Sequence, residues 1–204
     1  MKKLTTLAVL ALVALTPLCA QTSRKDSAKA GKEAAVAAKT LKREGFKMVG
    51  LGDMQASLQQ YIIKARGGCV EVVGTSEGCM SSNLAQLTAV NNAANMYAVN
   101  AGGAVRGRIV STASSLTGKQ VDEVVASFER LVLKDIHGEL VPYVVVVKEK
   151  KGTYAARAYC LVDPQPSLRV RKLAIEAALE EQAMAEEYGS LISDWIDEGF
   201  EKAE

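Results

Sequence analysis

The sequence predicts an α+β protein: a small antiparallel sheet covered by a long Ala-rich helix and a second helix, with helical N- and C-terminal extensions. Two observations predict it. Apolar residues recur at helical spacing through most of the chain. Two strongly β-forming segments, Leu140–Lys148 and Thr153–Val162, flank the short loop Glu149–Gly152, which is typical of a hairpin.

The first 20 residues have the pattern of a secretory signal peptide. Lys2 and Lys3 precede the apolar run Leu4–Leu15, and a small residue, Ala20, stands before the expected cleavage point. The run is shorter than the roughly 20 apolar residues that a membrane-spanning helix needs. We therefore expect an exported protein, periplasmic or associated with the outer membrane.

Cys19 allows a second interpretation, a lipoprotein cleaved just before a lipidated cysteine. The residue before such a cysteine is normally small, whereas here it is Leu18. A lipid on Cys19 would anchor the protein. Membrane association is expected only in that case.

The charges are balanced overall but unevenly distributed. The chain has 25 basic and 23 acidic residues, and the leader holds two lysines and no acid, so 23 of each sign remain. A neutral protein lacks the basic footprint of nucleic-acid binding. Arg24–Lys47 contains eight basic and three acidic residues, whereas the chain from Lys172 onward has two basic and ten acidic. These runs are either solvated helix faces or surfaces that attract each other, within one chain or between neighbours.

Residues 21–67 are predicted to form an N-terminal helical extension. An Ala-, Lys- and Glu-rich helix spans Ser23–Glu44 and ends at Gly45. A short strand, Phe46–Val49, follows it. Asp53 is a good N-cap for a second helix, which Gly67 and Gly68 would stop.

Residues 68–166 are predicted to form the α+β domain. Its longest apolar stripe keeps helical spacing across Gly102 and Gly103. This continuity favours one long helix over the alternative, two helices broken at Gly102. The predicted elements are the strand Cys69–Ser76, the helices Asn83–Thr112 and Val121–Ile136, and the hairpin strands Leu140–Lys148 and Thr153–Val162.

Residues 167–204 are predicted to form one acidic C-terminal helix. One of its faces is apolar, and a lone tryptophan on such a face is typical of a core or docking anchor. The candidate partner-docking residues are Tyr188, Leu191, Ile192, Trp195, Ile196 and Phe200.

Three cysteines remain after the expected cleavage. Cys69 and Cys79 form a candidate disulfide, because they flank a predicted turn in an exported chain. Cys160 is expected to be a buried thiol on the apolar face of its strand. A zinc site built from these three and His137 would lack the short paired spacings of such sites, so no metal or cofactor is expected.

The sequence contains no recognisable catalytic motif. His137 is the only histidine and ends a predicted helix, where capping of carbonyl groups explains it. A thiol nucleophile, Cys69 or Cys79 with His137, is the remaining enzymatic alternative. No Gly-x-Ser-x-Gly or phosphate-loop motif is present. We therefore expect no catalytic residue.

Residues 70 to 163 resemble the lipoprotein-20 family of bacterial envelope proteins and the related N-terminal domain of flagellar assembly protein T. The resemblance lies in Val72-Val73-Gly74-Thr75, the Ala-studded helix to Ile109, and the late strand from Tyr154 to Asp163. The segment Leu41–Lys47 is similar to an extension found in uncharacterised exported relatives. The resemblance implies an α+β fold, export and no known active site.

These observations predict a non-enzymatic envelope protein that acts as an interaction or assembly module, with a protein partner or a second copy. A small periplasmic hydrolase or thiol enzyme is one alternative. A lipid-anchored surface protein is the other. Nucleic acid is not an expected partner.

Overall fold

The computed structural model describes residues 24–112, 116–184 and 188. This part of the chain contains five helices and four strands. They are α1 (Arg24–Arg43), β1 (Lys47–Met48), α2 (Met54–Arg66), β2 (Val70–Cys79), α3 (Ser82–Thr112), α4 (Gly118–Ile136), β3 (Val141–Lys150), β4 (Thr153–Val162) and α5 (Pro164–Glu181).

The four strands form one antiparallel sheet in the order β1-β3-β4-β2. The centre of the sheet is the predicted hairpin, in which Lys150 pairs with Thr153. Lys151 and Gly152 close it with φ values of 53° and 77°, as a two-residue type I′ turn requires. The predicted α+β class with a small antiparallel sheet is therefore confirmed.

Strand β4 separates two hydrophobic cores because its side chains alternate between the faces of the sheet. Ala156, Ala158, Cys160 and Val162 belong to the core formed with α3, α4 and α5. Leu161 belongs to a second core, which α1 and α2 form on the opposite face. The sheet is thus covered on both faces.

Helix α3 lies very close to the sheet because both surfaces carry small residues. Ala85, Ala89 and Ala93 are fully buried at four-residue spacing, and Gly74 of β2 lies directly beneath the backbone of Ala89 and Ala93. The helix continues through Gly102 and Gly103. The prediction of a single long helix is confirmed.

Two parts of the arrangement are now defined in more detail. Helix α4 packs chiefly against α3 and α5, and it shares with α3 the core on one face of the sheet. The segment 21–67 is not an appended extension, since β1 pairs with β3 and Leu41 and Leu58 are buried against the sheet. It supplies an edge strand and a whole covering layer.

The C-terminal helix is shorter than predicted. Helix α5 ends at Glu181, after which the amide of Ala183 donates to the carbonyl of Glu180 and that of Met184 to Leu179. This pattern is a Schellman motif, and Ala183 occupies its left-handed position with φ 54°. One uninterrupted helix from Ser167 onward is therefore excluded.

Candidate interaction surface

The expected Cys69–Cys79 disulfide is wrong. The structure does not join the two thiols in a disulfide, and Cys79 is the last residue of β2, ten positions beyond Cys69. At about 3.3 Å per residue, their α-carbons are roughly 30 Å apart, whereas a disulfide needs them within about 7 Å. The Cys69 thiol instead donates to the Asp163 carboxylate at 3.3 Å.

The other candidate catalytic and metal-binding residues do not form a site either. Cys160 is buried under α3, and burial raises the pKa of its thiol to about 12. His137 is exposed just beyond α4. Within residues 24–112 and 116–184, no three His, Cys, Asp or Glu side chains come together as metal ligands. None of the described helices is both long and apolar enough to span a bilayer.

Thiol labelling of the folded protein should follow this burial pattern. Cys69 and Cys79 are partly exposed and Cys160 is buried, so we expect the first two to react with a maleimide and Cys160 to react only after denaturation. Mass spectrometry of labelled peptides measures this. Fast labelling of Cys160 in the native state would contradict the described core.

The outer face of α1 is a stripe of positive charge, which we call the basic stripe. Ala30, Ala34, Ala38 and Leu41 recur at helical spacing and are buried against α2 and the sheet. The opposite side of the helix is therefore turned outward. The stripe consists of Lys29, Lys32, Lys39 and Arg43, all exposed, with Val36 between them, 67% exposed.

Two acidic residues next to the stripe are neutralised by arginines from elsewhere in the fold. Glu33 pairs with Arg66 at 2.6 Å, and Glu44 pairs with Arg157 at 2.8 Å. The four stripe cations form no ion pair with any residue that the structure describes. Their charge is therefore available to an external anionic group.

A groove of about 500 Å³ runs beside the C-terminal half of the stripe. Ala35 and Ala38 make its floor apolar. Lysine and arginine side chains of α1 make its rim basic. Gln59 of α2 reaches α1 and donates to the carbonyl of Ser27 at 3.2 Å. The lining residues are Ala35, Ala38, Lys39, Lys42, Arg43 and Gln55. Such a groove suits an amphipathic acidic segment.

Helix α5 is fixed on the other side of the sheet by buried polar contacts. The Tyr97 hydroxyl of α3 lies 2.6 Å from the Ser167 hydroxyl and accepts a hydrogen bond from Arg171 Nε at 2.9 Å. The Arg171 guanidinium also lies over the Tyr97 ring, 5.0 Å from its centre. These contacts fix the start of α5 on α3.

The end of α5 is fixed to α4. Glu181 accepts hydrogen bonds from Ser127 and from Arg130, the latter at 2.7 Å. Both bonds favour the charged carboxylate and lower the pKa of Glu181, the Ser127 bond most strongly. The chain therefore leaves α5 at a defined place on the α4 surface.

Tyr188 is not a partner-docking residue. It is 9% exposed and belongs to the protein's own core with α3, α4 and α5. The other candidate docking residues lie outside the described residues, as do the expected leader and Cys19. They are Leu191, Ile192, Trp195, Ile196 and Phe200.

Comparison with known proteins matches this chain to no family model, to no curated protein and to no solved structure. The fold and the surface therefore define it only as an α+β protein with an exposed basic face on α1. The charge of that face is readable from the sequence, since Lys29, Lys32, Val36, Lys39 and Arg43 share a helical spacing. The groove cannot be predicted from the same pattern, because it also depends on α2, which contributes Gln55.

Proposed function

We infer that this chain is a non-enzymatic, exported envelope protein that acts as an interaction or assembly module. The observation that carries the proposal is the basic stripe with its groove, a surface whose positive charge no described acidic side chain neutralises. Exposed like charges held in a row are suited to steering and selecting a partner.

Two sequence features support the envelope setting. The first 20 residues have the pattern of an export signal. Residues 70 to 163 resemble the lipoprotein-20 family, and their α+β arrangement is compatible with that resemblance. Leu18 before Cys19 is a departure from the lipidation signal of that family and argues only against a lipid anchor.

Site-specific photo-crosslinking in cells tests the proposal. A photoreactive amino acid is placed at Val36, in the middle of the stripe, or at Val110 of α3, which is 62% exposed and serves as the matched control. We expect a protein adduct from position 36 and none from position 110. The adduct should disappear when Lys32 and Lys39 are changed to Glu.

Equal adducts from the two positions would show nonspecific capture. No adduct from position 36, in cells in which the protein is folded and exported, would overturn the proposed role of the stripe. Retention of the leader in those cells would separately contradict export.

A further inference from the structure

The chain beyond Tyr188 has the composition that the groove of α1 would accept. Residues 189–204 contain five acidic residues and one basic residue. At helical spacing, Leu191, Ile192, Trp195, Ile196 and Phe200 fall on one side of this segment and the acidic residues on the other. It is therefore an amphipathic acidic segment by sequence.

This segment begins on the side of the sheet opposite to the basic stripe. Tyr188 is buried in the core of α3, α4 and α5. Helix α1 packs in the other core, across the sheet. Tyr188, the last described residue before the acidic segment, and the basic groove thus lie on opposite sides of the sheet.

Distance disfavours a contact within one chain. Sixteen residues in a helical conformation would span about 24 Å. The helix-on-helix and helix-on-sheet layers between α4 and the outer face of α1 add up to about 30 Å, at 8–10 Å for each layer. A helical segment starting at the α4 side is too short to reach the stripe of its own molecule.

We propose that copies of this chain associate head to tail, with residues 189–204 of one copy bound in the groove beside the basic stripe of the next. This rests on the proposed function and names its partner, a second copy. The acidic side chains would face Lys32, Lys39 and Arg43, and the apolar side chains would cover the groove floor at Ala35 and Ala38.

The two surfaces differ, so the contact is heterologous. A heterologous contact leaves one groove and one acidic segment free at the two ends of an open chain of copies. Copies can therefore add until the chain closes into a ring or continues to grow, unlike in a symmetric dimer. The association should also weaken as salt screens the charges.

Complementation between two defective variants tests this geometry. The groove variant K32E/K39E/R43E keeps its acidic segment, and the tail variant is truncated after Tyr188. We expect the mature wild-type protein to sediment above monomer mass at low salt and each variant alone to sediment as a monomer. An equimolar mixture should give a dimer of one copy of each and nothing larger, because a single intact pair of surfaces remains.

A matched control reverses three exposed lysines away from the stripe. K119E/K134E/K150E changes the net charge by the same amount as the groove variant, and we expect it to assemble like wild type. The double substitution W195A/F200A replaces the truncation if the shortened chain does not fold. Circular dichroism verifies folding of each variant before sedimentation.

The outcomes are distinct. A monomeric wild-type protein at low salt would overturn head-to-tail assembly, as would wild-type assembly without a dimer in the mixture. A monomer that instead cosediments with anionic phosphatidylglycerol vesicles through the stripe would make the lipid surface the occupant and likewise overturn it. Capture of a different protein at position 36 would leave the interaction role intact while removing the second copy as its partner.

Discussion

Replacing Gly74 by alanine is expected to destabilise the protein by about 3 kcal/mol or more, the upper end of the cost of overpacking a core. A β-carbon at this position would lie 1.9 Å from the carbonyl oxygen of Ala89 and 2.4 Å from the amide nitrogen of Ala93. Both are backbone atoms of α3, so no side-chain rotation relieves the clash. Helix α3 would have to move away from the sheet, which would loosen the packing of its buried alanines.

Gly103→Ala is the matched control for this change. It lies in the interior of α3, and an added β-carbon meets nothing within 4 Å. We expect a gain in stability of about 0.5–1 kcal/mol, because alanine restricts the unfolded chain more than glycine does. Urea denaturation of the two variants gives the comparison. Similar midpoints would contradict the close approach of α3 and β2.

The same glycine explains why the sequence predicts β2 to end too early. A glycine near the end of a β-branched run is typical of the start of a turn, and this interpretation places Cys69 and Cys79 on either side of that turn. In the structure β2 continues through Gly74 to Cys79. The glycine is present because another backbone lies against it. A sequence pattern cannot distinguish these two reasons for a glycine.

Local signals predicted most of the individual elements. Asp53 caps α2 as expected, accepting a hydrogen bond from the amide of Ala56 at 2.8 Å. Strand β4 has its predicted bounds, because alternation of small apolar and polar residues is a short-range pattern. Gly45 and Gly68 follow the ends of α1 and α2 with positive φ, as their C-terminal positions predicted.

The layering of the elements was not predictable in the same way. Strand β3 carries four consecutive valines from Val144 to Val147, and such a run does not show whether one face or both are covered. In the structure Val144 and Val146 face α1 and α2, whereas Val145 and Val147 pack with α3. The run is apolar throughout because both faces of the strand are covered.

The candidate docking surface was predictable only in its charge. Helical spacing places the stripe lysines together on α1. Their availability depends on Glu33 and Glu44 being held by Arg66 and Arg157, which are 33 and more than 100 residues away in the chain. Such long-range pairing leaves no local signal in the sequence.

Replacing Phe128 by alanine is expected to cost about 3–5 kcal/mol of unfolding free energy, the range for truncation of a buried phenylalanine. Phe128 is fully buried in the core that joins α4 to α3 and α5. Val110→Ala, at an exposed position on α3, is the control and should change stability by no more than about 0.5 kcal/mol. Denaturant unfolding, followed by circular dichroism, measures both.

The Phe128 variant also tests whether the packing of α4 supports the proposed assembly. Helix α4 carries Ser127 and Arg130, which hold Glu181 at the end of α5, and so determines where the acidic segment leaves the fold. Loss of α4 packing should therefore lower the midpoint of unfolding and weaken self-association together, while the basic stripe on the other face stays intact. A variant that loses less than about 1 kcal/mol would mean that α4 is not packed as described. The acidic segment would then have no fixed origin from which to reach a neighbouring molecule.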